Sequence, residues 1–278
     1  MGLPAIYVPA GPMLRGNWRG QILGSGSDVW KYWDEKRAGN ITDDDWNEIE
    51  GGIARSFGTC MVMGTAATMM AITEALGLAL PGASSIPAAD SNHPRMATLC
   101  GRRIVEMVKE DLRISKILKR ENFLNAVRAN GALGGSTNAI LHLLAIAHAA
   151  EVDLTIDDFD RLQKTVPHIA DLKPSGKYVM QDLHRVGGVQ AVMKMLLEAG
   201  YLHGDCMTVT GKTLAENLKE APDLLEGQQV IMPFDNPKRK DGPLIVLKGN
   251  LSPRGAVAKM SGVKVKRHSG PARVFDNE

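Results

Sequence analysis

The sequence predicts a helix-rich α/β domain over residues 1–227, followed by the start of a β-rich domain over residues 228–278. Amphipathic runs with capping residues follow one another through the first part, which is typical of helices. From residue 228 onward, short β-prone runs alternate with Gly and Pro turns. The charged, Pro-flanked stretch at 235–243 is the best candidate for a boundary between the two parts.

The first elements are predicted from local composition. Leu3–Ala10 is apolar and is expected to be a buried strand, and a long Gly- and Pro-containing loop follows at 11–28. Two helices are predicted next, over 29–38 and 43–57, and Thr42 is the expected N-cap of the second.

Helices dominate the middle of the chain, and an apolar strand and turn at 78–90 interrupt them. Apolar spacing, capping residues and terminal glycines give the predicted helices 64–76, 94–110, 115–118, 121–131, 137–150, 155–166, 189–199 and one that starts at 213. The helix at 137–150 is strongly apolar and is expected in the core. In the second part we expect strands at 244–247, 256–259 and 272–275, with edges left open.

Composition excludes several functional classes. The formal net charge is +2, from 33 Lys and Arg against 31 Asp and Glu, and 5% of residues are aromatic, so nucleic-acid binding is not expected. No apolar run reaches the roughly 18 residues of a membrane span, and no secretion signal begins the sequence. Three cysteines at distant positions cannot form a disulfide framework, so we expect a cytoplasmic protein.

Cys60 is a candidate metal or cluster ligand. It lies between small residues just before the predicted helix at 64–76, where amide N–H groups and the positive helix end favour a thiolate. Free cysteines are more often small buried hydrophobic residues, and the local sequence leaves both interpretations open.

Ser136 and Thr137 are candidate substrate-binding residues. They follow two glycines at the start of the apolar helix at 137–150, where free N–H groups and hydroxyls can bind a carboxylate or a phosphate. A plain helix cap made by either hydroxyl is the equal alternative.

Other motifs indicate no chemistry. Residues 24–29 begin like a dinucleotide-binding loop and residues 204–213 end like a phosphate loop, but each lacks a required glycine, so both are expected to be ordinary turns. His142 and His148 fall on different faces of one helix and form no metal pair. Residues 171–188, which include Lys173 and His184, are expected to be a solvated loop.

Seven blocks in order nevertheless resemble one enzyme family. They are GTCMVMGTAATMM, LALPGASSIPAAD, ALGGSTNAILHLLAIA, DLKPSGKYVMQDLHRVGG, GDCMTVTGKTLAEN, GNLSPRGAVAK and SGPARVFDNE. Together they are similar to the dihydroxy-acid dehydratase and phosphogluconate dehydratase family, over essentially the whole chain. The resemblance implies an α/β domain of the dehydratase N-terminal type, here incomplete, and the first strands of a barrel domain.

The resemblance also implies a reaction and its cofactors. Family members convert a 2,3-dihydroxy acid to a 2-keto acid with an iron–sulfur cluster (2Fe-2S or 4Fe-4S) and Mg²⁺, and Cys60 would be one of three cysteine cluster ligands. The family blocks that carry the other ligands and the catalytic base have no counterpart in this sequence, so the catalytic residues stay unknown. Cys100 and Cys206 match no ligand block and are expected to be structural.

Three functional hypotheses follow. The first is a dihydroxy-acid dehydratase of branched-chain amino-acid synthesis, present as a partial chain that is inactive alone and that forms a homodimer or a higher homo-oligomer at full length. The second is a sugar-acid dehydratase of the same family, because the opening block at 11–30 resembles that branch. The third is an inactive binding or scaffolding fragment.

Overall fold

The computed structural model describes residues 2–263, 267 and 269–277. In chain order the α-helices are α1 (Asp28–Arg37), α2 (Asp43–Ile53), α3 (Thr65–Ala75), α4 (Asn92–Lys109), α5 (Ile114–Ile117), α6 (Arg120–Leu133), α7 (Asn138–Ala149), α8 (Ile156–Gln163), α9 (Met180–Arg185), α10 (Gly188–Glu198) and α11 (Leu214–Lys219). The strands are β1 (Gly16–Trp18), β2 (Gln21–Leu23), β3 (Leu244–Gly249) and β4 (Ser252–Lys259). A helix-rich unit followed by the start of a sheet unit is thus confirmed.

Helix α3 lies at the centre of the fold and packs against α6, α7 and α10. One of its faces joins a core formed with α10, while Ile72 on another face joins a second core formed with α6, α7 and α8. Because both faces are covered, α3 is buried almost all round, as expected for a helix without a polar face. The turn that leads into α3 is therefore held on a rigid element.

The predicted N-cap of α2 is confirmed, and α8 and α11 also begin after a threonine. Thr42, Thr155 and Thr213 each precede an acidic residue three positions on. Thr42 and Thr213 form reciprocal capping boxes, whereas at α8 Asp158 accepts a hydrogen bond from Thr155 N at 3.1 Å. Helix α2 ends at Ile53 rather than at 57. It ends early because Gly51 and Gly52 weaken the helix, and the chain then turns so that the Ser56 hydroxyl accepts a hydrogen bond from Leu14 N at 3.0 Å.

The predicted strand at Leu3–Ala10 is wrong. Leu3, Tyr7 and Val8 are 77%, 42% and 43% exposed, and the segment belongs to neither sheet. Instead β1 and β2 form an antiparallel hairpin inside the predicted loop at 11–28, with Arg19 and Gly20 at positive φ in its turn. The composition did not indicate this hairpin, because its strands are short and half exposed.

The predicted strand at 78–90 is also wrong. Residues Ala83–Ser85 form a 3-10 helix around the buried carboxylate of Glu74. That carboxylate accepts hydrogen bonds from Gly82 N at 2.8 Å, from Ser84 N at 3.1 Å and from the Ser84 hydroxyl. The amides that a strand would use are therefore taken by one side chain.

Two further expectations are corrected. Helix α7 is not wholly in the core, because it buries Ala139, Ile140, Leu143 and Ala147 while Leu141 is 68% exposed. Residues 171–188 are not a solvated loop, because they contain α9, whose Met180 and Leu183 are fully buried.

The second part of the chain begins with one hairpin. β3 and β4 pair antiparallel, and β3 packs against α8 with Leu244 in the core. The expected strand at 272–275 does not form, and Val274 and Phe275 are exposed there, since no neighbouring strand of the described residues pairs with it. None of the helices in the described part of the chain is long and apolar enough to cross a bilayer.

Candidate functional site

Cys60 lies in the turn between α2 and α3, five residues before Thr65 begins α3. The three residues that follow it, Met61, Val62 and Met63, are buried and fix the turn in the core. Met61 O accepts a hydrogen bond from Met180 N and Met63 N donates one to Lys173 O, each at 2.8 Å. Cys60 itself is half-buried at the edge of this turn.

Ser25 lies directly beside the Cys60 thiol. Its hydroxyl oxygen is 2.6 Å from Cys60 Sγ and accepts a hydrogen bond from Met61 N at 3.2 Å. A side chain on Gly26 would also reach the sulfur, at 3.4 Å. The loop at 24–28, which the sequence indicated to be an ordinary turn, therefore covers Cys60.

An ion pair joins this loop to a third segment. Lys173 Nζ lies 2.8 Å from the Asp28 carboxylate, which also accepts a hydrogen bond from Gly24 N at 2.6 Å. The two side chains are only 15% and 16% exposed, so solvent screens their attraction less than it would at the surface. The pair holds the loop against the Cys60 turn.

The structure brings Ser136 to the first turn of α3. The Thr65 and Ser136 hydroxyl oxygens are 3.1 Å apart, and Ser136 N donates to the Thr68 hydroxyl at 3.0 Å. Asn138 Nδ2 donates to the Thr65 hydroxyl at 2.7 Å. The turn at 134–137 is therefore held against the first turn of the helix that follows Cys60.

Helix capping, the alternative role for Ser136 and Thr137, is also supported by a contact. Ser136 Oγ accepts a hydrogen bond from Asn138 N at 3.1 Å, which satisfies one free amide at the start of α7. Thr137 occupies the N-cap position without a side-chain capping bond. The Thr137 hydroxyl is therefore the freer of the two predicted substrate-binding groups.

The glycines ahead of Ser136 are required by close packing. Gly134 ends α6 at φ +65°, and a side chain there would overlap the His168 ring. A side chain on Gly135 would overlap Asn130 and Thr68. The path of this turn is therefore fixed from both sides.

Lys259 of β4 reaches the same turn from the second part of the chain. Its Nζ donates to Gly134 O at 2.8 Å, and burial lowers the pKa of Lys259 from its usual 10.5 to about 8. Burial, together with the charge of Lys238 and Lys259, lowers the pKa of His168 to about 4, so that ring is neutral at physiological pH. No local signal could identify Lys259 or Ser25, because their partners are far away in the sequence.

Metal ligands are only partly provided. Among the described residues, no group of three or more His, Cys, Asp or Glu side chains could hold a metal ion. Cys100 and Cys206 are buried, and burial raises the pKa of both thiols, that of Cys206 to about 12. Both stay protonated core residues, whereas the half-buried Cys60 fits a single ligand of a larger site.

Comparison with known proteins now identifies the family. The family model described as dihydroxy-acid/6-phosphogluconate dehydratase N-terminal matches residues 1–217, and the corresponding C-terminal model matches residues 229–278. The dihydroxy-acid dehydratase of Oceanobacillus iheyensis is 59% identical over 277 residues, which cover 100% of this chain and 49% of that relative. Dihydroxy-acid dehydratases of Streptococcus suis and Streptococcus pneumoniae are 52% and 53% identical, again over 100% of this chain.

The chain spans about half the length of these curated relatives, 48% to 49% in each case. Within that span the N-terminal family model ends at residue 217 and the C-terminal one begins at residue 229. The chain belongs to the dihydroxy-acid/6-phosphogluconate dehydratase family.

Proposed function

We propose that this chain forms part of a hydro-lyase that converts a 2,3-dihydroxy acid to a 2-keto acid, as a dihydroxy-acid dehydratase of branched-chain amino-acid synthesis. The contact between Ser136 and Thr65 carries the proposal, because it sets a hydroxyl-rich turn against the helix that Cys60 precedes. The names of the relatives support the same reaction.

In this proposal the domain boundary falls between residues 227 and 228. Residues 1–227 belong to the cluster-bearing domain, and residues 228–278 begin the β-rich domain. The Lys259 contact with Gly134 would then join the two domains at the candidate site. The two family models, which end and begin at residues 217 and 229, support a boundary in this region.

Cys60 is proposed as one ligand of an iron–sulfur cluster, of the 2Fe-2S or 4Fe-4S type. Such a cluster, when bound with an open iron position, supplies a Lewis acid for the leaving hydroxyl group. Ser25 is placed to donate a hydrogen bond to the Cys60 sulfur, and Met61 to Met63 hold the turn rigid. These contacts position the ligand before any metal binds.

Ser136 and Thr137 are proposed to bind the substrate carboxylate. The amide groups at the start of α7 and the positive end of its helix dipole favour an anion there. Thr137 has a free hydroxyl for it, and Asn138 and Thr65 hold Ser136 in place.

Magnesium is expected from the family, but the described residues supply no complete site for it. We assign no step to it on these residues, and we assign no catalytic base. Because Cys60 is the single credible cluster ligand, the 278-residue chain alone should neither retain a cluster nor turn over.

Anaerobic reconstitution with iron and sulfide, followed by an absorbance spectrum, tests whether this chain alone can hold a cluster. We expect a colourless protein without dehydratase activity. A brown product with turnover would contradict the expected inactivity of this chain alone and would show that Cys100 or Cys206 binds iron.

A sugar-acid dehydratase of the same family is the second candidate, because the block at 11–30 resembles that branch. The observation that weighs against it is the name shared by the similar relatives, dihydroxy-acid dehydratase. Assaying a full-length enzyme that contains this chain with 2,3-dihydroxyisovalerate and with an aldonate separates the two. Cytoplasmic location and a homodimeric or larger assembly remain parts of the proposal.

A further inference from the structure

A pocket of about 310 Å³ lies between the β1–β2 hairpin, the segment after α2 and the helix α9. Its lining is polar and strongly basic, and it consists of Leu14, Arg15, Asn17, Arg55, Gln181 and Arg185. None of these residues has a role in the proposed dehydration.

The walls of the pocket are held together by specific contacts. Arg15 N donates to Gln181 Oε1 at 2.7 Å, and the Arg15 guanidinium lies 3.3 Å from the carboxylate of Asp182. Arg55 Nη1 donates to Arg15 O at 2.9 Å. Arg15 is therefore tied to α9, and Arg55 is tied to Arg15, which lowers the entropy lost when a ligand binds.

Positive charge in the pocket is not balanced. Arg15 meets Asp182, which also caps α9 by accepting a hydrogen bond from Val179 N at 3.0 Å. Arg55 and Arg185 form no ion pair with any carboxylate of the described residues. The guanidinium groups of Arg55 and Arg185, which have no ion-pair partner among the described residues, thus line the pocket together with the neutral amides of Asn17 and Gln181.

Guanidinium groups bind oxyanions through paired N–H donors, and several of them around one space favour a ligand with two negative charges. The volume of the pocket suits a small molecule rather than a protein segment. We propose that this pocket binds a small dianion, either a phosphoryl group or a dicarboxylate, through Arg15, Arg55 and Arg185.

Isothermal titration of the purified protein with inorganic phosphate and with malonate, at constant ionic strength, tests the proposal without any turnover. Failure of the dehydratase assignment would leave this result unchanged. We expect saturable binding of at least one of the two anions. Tighter binding of phosphate identifies a phosphoryl site, and tighter binding of malonate identifies a dicarboxylate site.

Variants assign the binding to the pocket. Arg55→Ala and Arg185→Ala should each weaken it about tenfold, because each removes charge-assisted hydrogen bonds. Arg102→Ala, on the exposed face of α4, is the matched control and should bind like the parent. Circular dichroism confirms that each variant is folded. Absence of saturable binding, or equal binding by all three variants, would overturn the proposal.

Discussion

Lys259 should make the stability of this protein depend on pH in the alkaline range. Its ammonium group is largely removed from water and donates to Gly134 O, and burial lowers the pKa of Lys259 from 10.5 to about 8. In the unfolded chain the same group returns to its usual pKa. Between pH 8 and 10.5 the unfolded state therefore binds more protons than the folded state, and the free energy of unfolding rises with pH.

The size of the effect follows from the shift. A pKa shift of one unit corresponds to about 1.4 kcal/mol, so the full shift of Lys259 changes the free energy of unfolding by about 3 kcal/mol. Partial exposure of the side chain reduces this change to about 2 kcal/mol. His168 adds nothing here, because its pKa of about 4 keeps it neutral throughout this range. Lys259→Met removes the effect, since methionine fills similar space without a charge.

Urea denaturation at pH 7 and at pH 10 measures this difference. We expect the stability of the parent protein relative to Lys259→Met to rise by about 2 kcal/mol between the two conditions. Lys248→Met, at an exposed position of β3, is the control and should show no such rise. A parent-to-variant difference that is the same at both pH values would refute the reasoning and would mean that water reaches the Lys259 ammonium.

Three further outcomes are expected. Gly135→Ala should lower the free energy of unfolding by more than about 2 kcal/mol, because its methyl group would overlap Asn130. Gly101→Ala is the control: it has open space in α4 and should raise the free energy of unfolding by about 0.5–1 kcal/mol. Equal effects of the two variants in thermal denaturation would contradict this. Thr213→Ala should cost about 1 kcal/mol by removing the cap of α11, and an unchanged urea midpoint would count against the capping box. The His168 ring should titrate near pH 4 by NMR, so that stability falls as pH drops from 6.5 toward 4, and a midpoint near 6.5 would show that the ring is hydrated.

Helix starts could be predicted because capping is local. Thr42, Thr155 and Thr213 each lie three residues before an acidic partner, so the sequence contains the whole interaction. The order of the two units could be predicted because β-prone runs appear after residue 228, ahead of the strand that begins at Leu244.

Strands were harder to predict because a strand needs a partner. Leu3–Ala10 is apolar but has no neighbouring strand to pair with, and 78–90 gives two of its amides to the Glu74 carboxylate. The hairpin of β1 and β2 forms where the sequence suggested a loop. Apolar composition alone does not show which segments will pair as strands.

The residues of the candidate site likewise differ in whether the sequence reveals them. Cys60 and Ser136 stand in recognisable local patterns, and the turn before a helix marks each of them. Ser25, Lys173 and Lys259 act on those turns from positions 35 to 125 residues away, so only the folded chain brings them there. The supporting contacts of a site are therefore less visible in a sequence than its central residues.

The central claim is that Cys60 binds the iron–sulfur cluster of a full-length dehydratase. A chimera in which residues 1–278 replace the matching half of the Oceanobacillus iheyensis relative tests it, since the two are 59% identical over that span. After anaerobic purification, iron content and the visible spectrum of Cys60→Ser are compared with those of Cys100→Ser, a buried thiol in α4. We predict that Cys60→Ser loses the cluster while Cys100→Ser keeps it; a full cluster in Cys60→Ser would contradict the account.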